Sequence, residues 1–214
     1  DLQIRRVSRP EYGALIPDLL EGKADLIASS FTITDERRTE VDFTDPYFWV
    51  YPVIVTRRDR KIAGVEDLEG LTAAAIPGSS HEEHLLAIGV PPERITHVSF
   101  TQECFSEVAE GAVDMTLHDS NSALRYLRHT PELKIAFRLP GEDGYGFAVR
   151  PGETALLEEL NAYLAEIKSS GLLAEIVRRH IPAIDDLDTS LGQEAETAAT
   201  PPKDAESGDK AAMQ

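Results

Sequence analysis

"LIPDLLEGKADLIASSFTITDERRTEVDFTDPYF", Leu15 to Phe48, is the stretch on which the fold turns. It opens by continuing the helical face that Tyr12 begins: Leu15, Ile16, Leu19 and Leu20 recur at helix spacing, and Gly22 can end the helix. "ADLIAS" follows, an apolar run of the right length for a buried strand. The polar loop "SSFTIT" stands beyond it, and Arg37 and Arg38 sit side by side in a chain with 21 basic and 38 acidic residues. In open α/β sheets, ligands bind in the loops at the carboxyl ends of strands. A hydroxyl-rich loop with a basic pair at such a position raises the question of whether one arginine holds an anion.

The same alternation continues outward. "YPVIVTR", "LTAAAI", "RITHVSF", "VDMTLHD", "KIAFRL" and "GYGFAVR" read as strands, and "LQIRRVS" at the start alternates like one. Between them "SHEEHLLAIG", "TQECFSEVAEG" and "SNSALRYLRH" read as helices, the last with Ser120 as N-cap. "ETALLEELNAYLAEIKSSG" and "LLAEIVRRHI" are two closing helices. Strands alternating with helices of about ten residues imply βαβ units and mostly parallel sheets. The expected class is α/β, with a first lobe of residues 1–55 plus 148–182 and a second of 56–147. "YPVIVTRRD" and "GYGFAVRPG" are the expected crossing strands and hinge.

Beyond Pro182 the composition breaks. Residues 183–214 carry eight acidic and two basic residues and almost no large apolar ones, which predicts a disordered acidic tail or linker. The net charge of −17 argues against a nucleic-acid binder, which needs a basic stripe to neutralise phosphates. Cys104 is the single cysteine, so no intramolecular disulfide and no cysteine-based zinc site can form, and it reads as a small buried hydrophobe. No stretch approaches the ~20 apolar residues of a membrane helix. "DLQIRRVS" reads as the middle of a domain, so an N-terminal part with its export signal is expected to precede it.

Four loops occupy the carboxyl ends of strands: "RPEY", "SSFTIT", "PGSS" and "HDSNS". The helices behind them aim backbone N–H groups at a common space, which suits a carboxylate. Arg37 or Arg38 adds a bidentate fork, and Asp119 a compact negative charge for an ammonium. An anion reader and a cation reader on separate blocks point to a zwitterion held between two lobes. The plain structural reading makes Ser30, Thr32 and Ser80 caps and gives Asp119 the opening of a helix.

The Leu15–Phe48 stretch resembles the signature of the family 3 extracellular solute-binding proteins, the amino-acid-binding branch of the two-lobed type II periplasmic fold. The similarity extends through "DLEGLTAAAIPGSS", "VAEGAVDMTLHDSNSAL" and the run from "GYGFAVRPG" to "EIVRRHI", covering residues 1 to about 182. "GSSHEEHL", "VAEGAVD" and "PELKIAF" look especially similar to the solute-binding-like domain of membrane-bound lytic transglycosylase F. The resemblance implies that Tyr12 packs against the ligand, that Ser30 and Thr32 bind an α-carboxylate clamped by Arg37, and that Ser79 and Ser80 contribute from the second lobe. Asp119 would take the α-ammonium with His118 beside it, and Arg38 would face solvent. It implies no catalytic residue, no cofactor and no metal. It also implies an extracytoplasmic protein that delivers an amino acid to an ABC permease, or one that reports it to a neighbouring enzymatic or sensor domain.

Two departures stand out. The first strand and helix of the family pattern are absent, so the expected fold is N-terminally truncated. Ser30 replaces a frequent glycine. Other motifs read as structural: "SHEEHLL" as a solvated helix start, because His81 and His84 lack the zinc-protease spacing; Asp42 and Asp45 as turn and capping residues; and the glycines of "GYGF" as a bend in a strand. Tyr47 is the aromatic of "PYFW" best placed to reach the pocket. A dehydratase-type enzyme on this fold would need a further acid or base in the cleft, and the sequence does not single one out.

Overall fold

The computed structural model describes residues 5–7 and 12–181. The expected acidic tail lies outside them, as do most residues of the expected first strand; Arg5–Val7 belong to no strand.

Two sheets divide the molecule. A short helix, α1 (Leu15–Leu20), leads into β1 (Ile27–Thr32), and β2 (Asp42–Phe43) and β3 (Phe48–Val50) follow. The chain then enters the second sheet: β4 (Pro52–Arg57), β5 (Ala73–Ala75), α2 (Ser80–Ala87), β6 (Ile95–His97), α3 (Thr101–Glu110), β7 (Met115–Asp119), α4 (Ser120–Leu127) and β8 (Leu133–Arg138). It returns through β9 (Asp143–Val149) and ends in α5 (Thr154–Ser169) and α6 (Leu172–His180). β9 is the spine of the first sheet and pairs with β1, β2 and β3. The second sheet has the order β6-β5-β7-β4-β8.

The sheets are less parallel than the alternation implied. β5 pairs in parallel with β6 and β7, where helices supply the crossovers. β4 runs antiparallel to both β7 and β8, and every pairing of β9 is antiparallel. β4 and β9 thus meet their neighbours antiparallel, a relation that local periodicity does not encode.

The expected boundaries at 55 and 148 each fall inside a strand. β4 is paired in the second sheet along its length and β9 in the first, so neither strand crosses. The passages lie at Tyr51 and between Arg138 and Asp143.

Burial follows the two-residue period of strands. Ile54, Ala73, Ala75 and Leu117 face one layer with Leu85 of α2; Val53, Val55 and Ala74 face the other with Cys104, Phe105 and Val108 of α3. Cys104 is fully buried, and burial pushes its thiol up to about 12, so it acts as a small apolar side chain. The first lobe packs Leu19, Ile27, Phe31, Val41, Phe43 and Ala148 together. Gly144 and Gly146 serve this packing and make no bend. A Cβ on Gly144 would stand 3.0 Å from Pro46 Cβ, and one on Gly146 2.9 Å from Ile33 Cδ1.

Candidate functional site

The ends of β1, β5 and β7 and the middle of β9 converge where the two sheets meet. Arg37 opens a short 3-10 turn after β1 and is 5% exposed, although Arg38 next to it is exposed. A 3-10 turn rotates about 120° per residue, so adjacent side chains point in different directions. The Arg37 guanidinium lies 4.4 Å from the Phe31 ring centroid and 5.6 Å from that of Tyr12. Nη1 donates to the Thr32 carbonyl at 2.9 Å, and Nη2 reaches the Gly78 carbonyl on the other lobe at 3.2 Å. Glu83 Oε1 stands 3.9 Å from Nη2. Tyr12 is pushed up to about 12, chiefly by burial, with Arg37 opposing.

The second lobe meets this arginine with the "PGSS" turn. Gly78 takes a φ of 70°, in the region that favours glycine, and so presents its carbonyl to Arg37. Ser79 is the N-cap of α2: its Oγ accepts from Glu82 N at 3.3 Å. Glu82 Oε2 reaches back to Gly78 N at 2.7 Å. Ser80 is the first helical residue and caps nothing. Its Oγ donates to Thr32 Oγ1 across the lobes at 3.1 Å. Ser30 lies outside this knot, exposed on β1 at a φ of 51°.

The opposite end is built on Asp119, the last residue of β7, 5% exposed. It occupies the N-cap position of α4 without capping it, and Ser120, expected there, is one residue inside the helix with its Oγ accepting from Tyr51 N at 3.2 Å. Asp119 Oδ2 instead accepts a short hydrogen bond from the hydroxyl of Tyr145 on β9. His81 Nε2 is 3.1 Å from the same oxygen, without hydrogen-bond alignment. Burial pushes the Asp119 carboxyl up, but His81 and Tyr145 outweigh it and hold the group below the ordinary carboxylate range. Burial and the neighbouring carboxylate push the Tyr145 phenol up, so it remains a donor.

His118 is 1% exposed, its ring 4.9 Å from Phe105 and 4.4 Å from His81. Neither ring nitrogen has a hydrogen-bond partner among the described residues. Burial, then His81, holds it well below the ordinary histidine range and therefore neutral. His84 Nδ1 lies 2.7 Å from the Ser80 carbonyl, and its Nε2 3.7 Å from Asp143 Oδ2.

The structure thus brings together Tyr12, Thr32, Arg37, Ser79, Ser80, His118 and Asp119, and leaves Ser30 at the margin. It also corrects the reading of "SHEEHLL". His81 and His84 are not on a solvated helix start, because α2 enters the space between the lobes with its N-terminus first. With Asp143 they supply titratable groups in a cleft where the sequence singled out no further acid or base. Tyr145 was missed as well. Its signal was the alternation in "GYGF": two glycines facing the core put the tyrosine between them on the other face. Tyr47 packs on Phe147 at 4.8 Å and Tyr145 at 6.4 Å. Asp42 is structural, accepting from Gly152 N at 3.0 Å. Among the described residues no group of three or more histidine, cysteine, aspartate or glutamate side chains is arranged to hold a metal, and no helix is long and apolar enough to cross a membrane.

A buried arginine at one end of an inter-lobe cleft and a buried carboxylate at the other is an arrangement for a zwitterion. The model of the bacterial extracellular solute-binding proteins, family 3, matches residues 2–183. The chain belongs to that family. A membrane-bound lytic murein transglycosylase F of Desulfosudis oleivorans is 32% identical over 85% of this chain, which spans 41% of that protein's length. Arginine-binding protein 1 of an ABC transporter of Escherichia coli is 30% identical over 80% of this chain and 72% of its own length. Among solved structures of this family, a mutant ArgBP from T. maritima superposes with a TM-score of 0.74 at 33% identity, covering 79% of this chain and 74% of that one. Family 3 membership and this likeness support the two-lobed periplasmic-type fold.

Proposed function

We propose that this chain captures an amino acid or a similar small zwitterion between its lobes, outside the cytoplasm, and delivers it to an ABC permease. The observation that carries the reading is the pair of buried opposite charges, Arg37 at 5% exposure and Asp119 at 5%, one from each sheet. Arg37, with Thr32, Ser79 and Ser80, would take the α-carboxylate. Asp119 would take the α-ammonium, with Tyr12 and His118 as walls and Ser30 at the rim. The lobes would divide where the chain passes between sheets, at Tyr51 and between Arg138 and Asp143, and would hinge there. Ligand would enter by replacing the polar contacts that now join them, from Arg37 to Gly78, from Ser80 to Thr32 and from Tyr145 to Asp119. Closing over it excludes water and strengthens both charge contacts. The role is binding, with no chemical step.

Isothermal calorimetry and thermal melting of the purified chain against the L-amino acids test this. Heat and a raised Tm with at least one of them are expected; no response to any of them would sink the reading.

The likeness to lytic transglycosylase F favours a second role for the same site, a sensing module whose closure acts on a neighbouring domain. The coding sequence beside this region decides between them: a transglycosylase or kinase domain in the same polypeptide favours sensing, and a permease in the next gene favours transport.

A further inference from the structure

Five buried side-chain polar atoms have no hydrogen-bond partner among the described residues: His81 Nε2, both ring nitrogens of His118, Asp119 Oδ1 and Asp143 Oδ2. All belong to one end of the cleft. Buried polar groups are nearly always paired, because each unpaired one costs about 1–3 kcal/mol. Orphans gathered at one place therefore mark where something polar is meant to sit. Asp119 spends one oxygen on Tyr145 and keeps Oδ1 free.

The second acceptor is Asp143, at the start of β9, with its side chain 16% exposed. What faces it is His84 Nε2 at 3.7 Å. The other nitrogen of that ring is 2.7 Å from the Ser80 carbonyl, which can only accept, so Nδ1 carries the hydrogen. In the neutral ring Nε2 is then a bare acceptor, and two lone pairs face each other. Burial pushes the Asp143 carboxyl up, aided by the Asp119 charge and opposed by His84, His81 and Arg37.

Charge points the same way. Arg37 stands against three carboxylates, Asp119, Asp143 and Glu83, so carboxylates are in excess over fixed cations in the cleft. A ligand without net charge leaves that excess in place, and an anionic one adds to it. We propose that the ligand is a cationic amino acid, whose second nitrogen cation is received by Asp143 Oδ2 together with His84 Nε2 while its α-ammonium sits on Asp119 Oδ1. The assignment rests on the amino-acid reading above and names the class of side chain that the site takes.

The experiment is calorimetry of the full chain with L-arginine, L-lysine, L-glutamine and L-glutamate, repeated with Asp143→Asn. Arginine or lysine should bind at least about 30-fold more tightly than glutamine, the lower end of the cost of leaving a buried charge without its partner. Glutamate should bind most weakly. Asp143→Asn, which keeps shape, should remove most of that preference. Glutamine or glutamate binding as tightly as the cations would overturn the assignment and leave the amino-acid reading standing. An unchanged preference in Asp143→Asn would overturn the role of Asp143. If none of the four binds, the assignment fails, and the wider panel then decides the amino-acid reading separately. The wild-type panel is informative even if the variant does not fold.

Discussion

The two ends of the cleft are finished to different degrees. At the Arg37 end the protein satisfies itself: two backbone carbonyls, one from each lobe, take the guanidinium, and Ser80 and Thr32 hydrogen-bond each other. At the Asp119 end five buried atoms lack partners among the described residues. The first arrangement can hold the lobes together without a ligand, whereas the second becomes favourable only when a ligand arrives.

The sharpest way to break the contrast is to open the satisfied end. Arg37→Ala removes a charge 5% exposed and leaves the Thr32 and Gly78 carbonyls without their donor. A loss of about 2–5 kcal/mol in ligand affinity is expected, the scale for truncating one partner of a buried charged contact. Arg38→Ala, at an exposed side chain on the same turn, should change affinity by less than about 0.5 kcal/mol. Calorimetry on both variants checks the pair, and equal effects would show that the two arginines share the work.

The unfinished end should reveal itself through pH. His118 is neutral in the fold because burial depresses its affinity for a proton, and the groups around it are His81, Phe105 and Asp119. The unfolded chain binds that proton near pH 6.5 and the folded one only well below it. In that window the unfolded state carries more protons, so stability falls as pH drops below about 6.5, by up to about 1.4 kcal/mol per pH unit. The Asp119 carboxyl is also shifted down, and its contribution, present above the unfolded carboxylate pKa of about 3.9, is lost only at much lower pH, as acid protonates it below the ordinary carboxylate range. Urea unfolding at pH 7.5, 6.5 and 5.5 should show the loss in the wild type and a shallower one in His118→Gln. Identical slopes would mean that His118 is not the group held neutral.

The fold was more legible than the site, for physical reasons. Strands and helices announce themselves by period, and the alternation in "YPVIVTR" and "LTAAAI" gave both faces of the second sheet. Pairing direction is a relation between distant segments, so the antiparallel settings of β4 and β9 were not visible. In the site, Arg37 and Asp119 stood out as charges beside small polar residues at strand ends. His81 and His84 did not, because a charged helix start reads the same whether it faces water or a second lobe. Tyr145 was hidden by its glycines, whose contacts are with Pro46 and Ile33, about a hundred residues earlier in the chain.

The smallest expected effect lies at the edge of the finished end. Ser30 adopts a φ of 51°, a left-handed conformation that costs a side-chain-bearing residue about 1–2 kcal/mol. The β1–β9 register shifts between Ile27 and Phe31, so the strain accompanies a local bulge in the strand that carries Thr32 to Arg37. Ser30 also lies beside the Tyr47 phenol, where its polar groups oppose the burial that pushes that phenol up. Glycine at this position would relieve the strain, lose the side-chain contact and gain freedom in the unfolded chain, so the net change against serine is small. Alanine loses the same contact and keeps the strain. Ser30→Gly should therefore be more stable than Ser30→Ala by about 1 kcal/mol in urea unfolding. Equal stabilities would show that the bulge imposes no strain at this position.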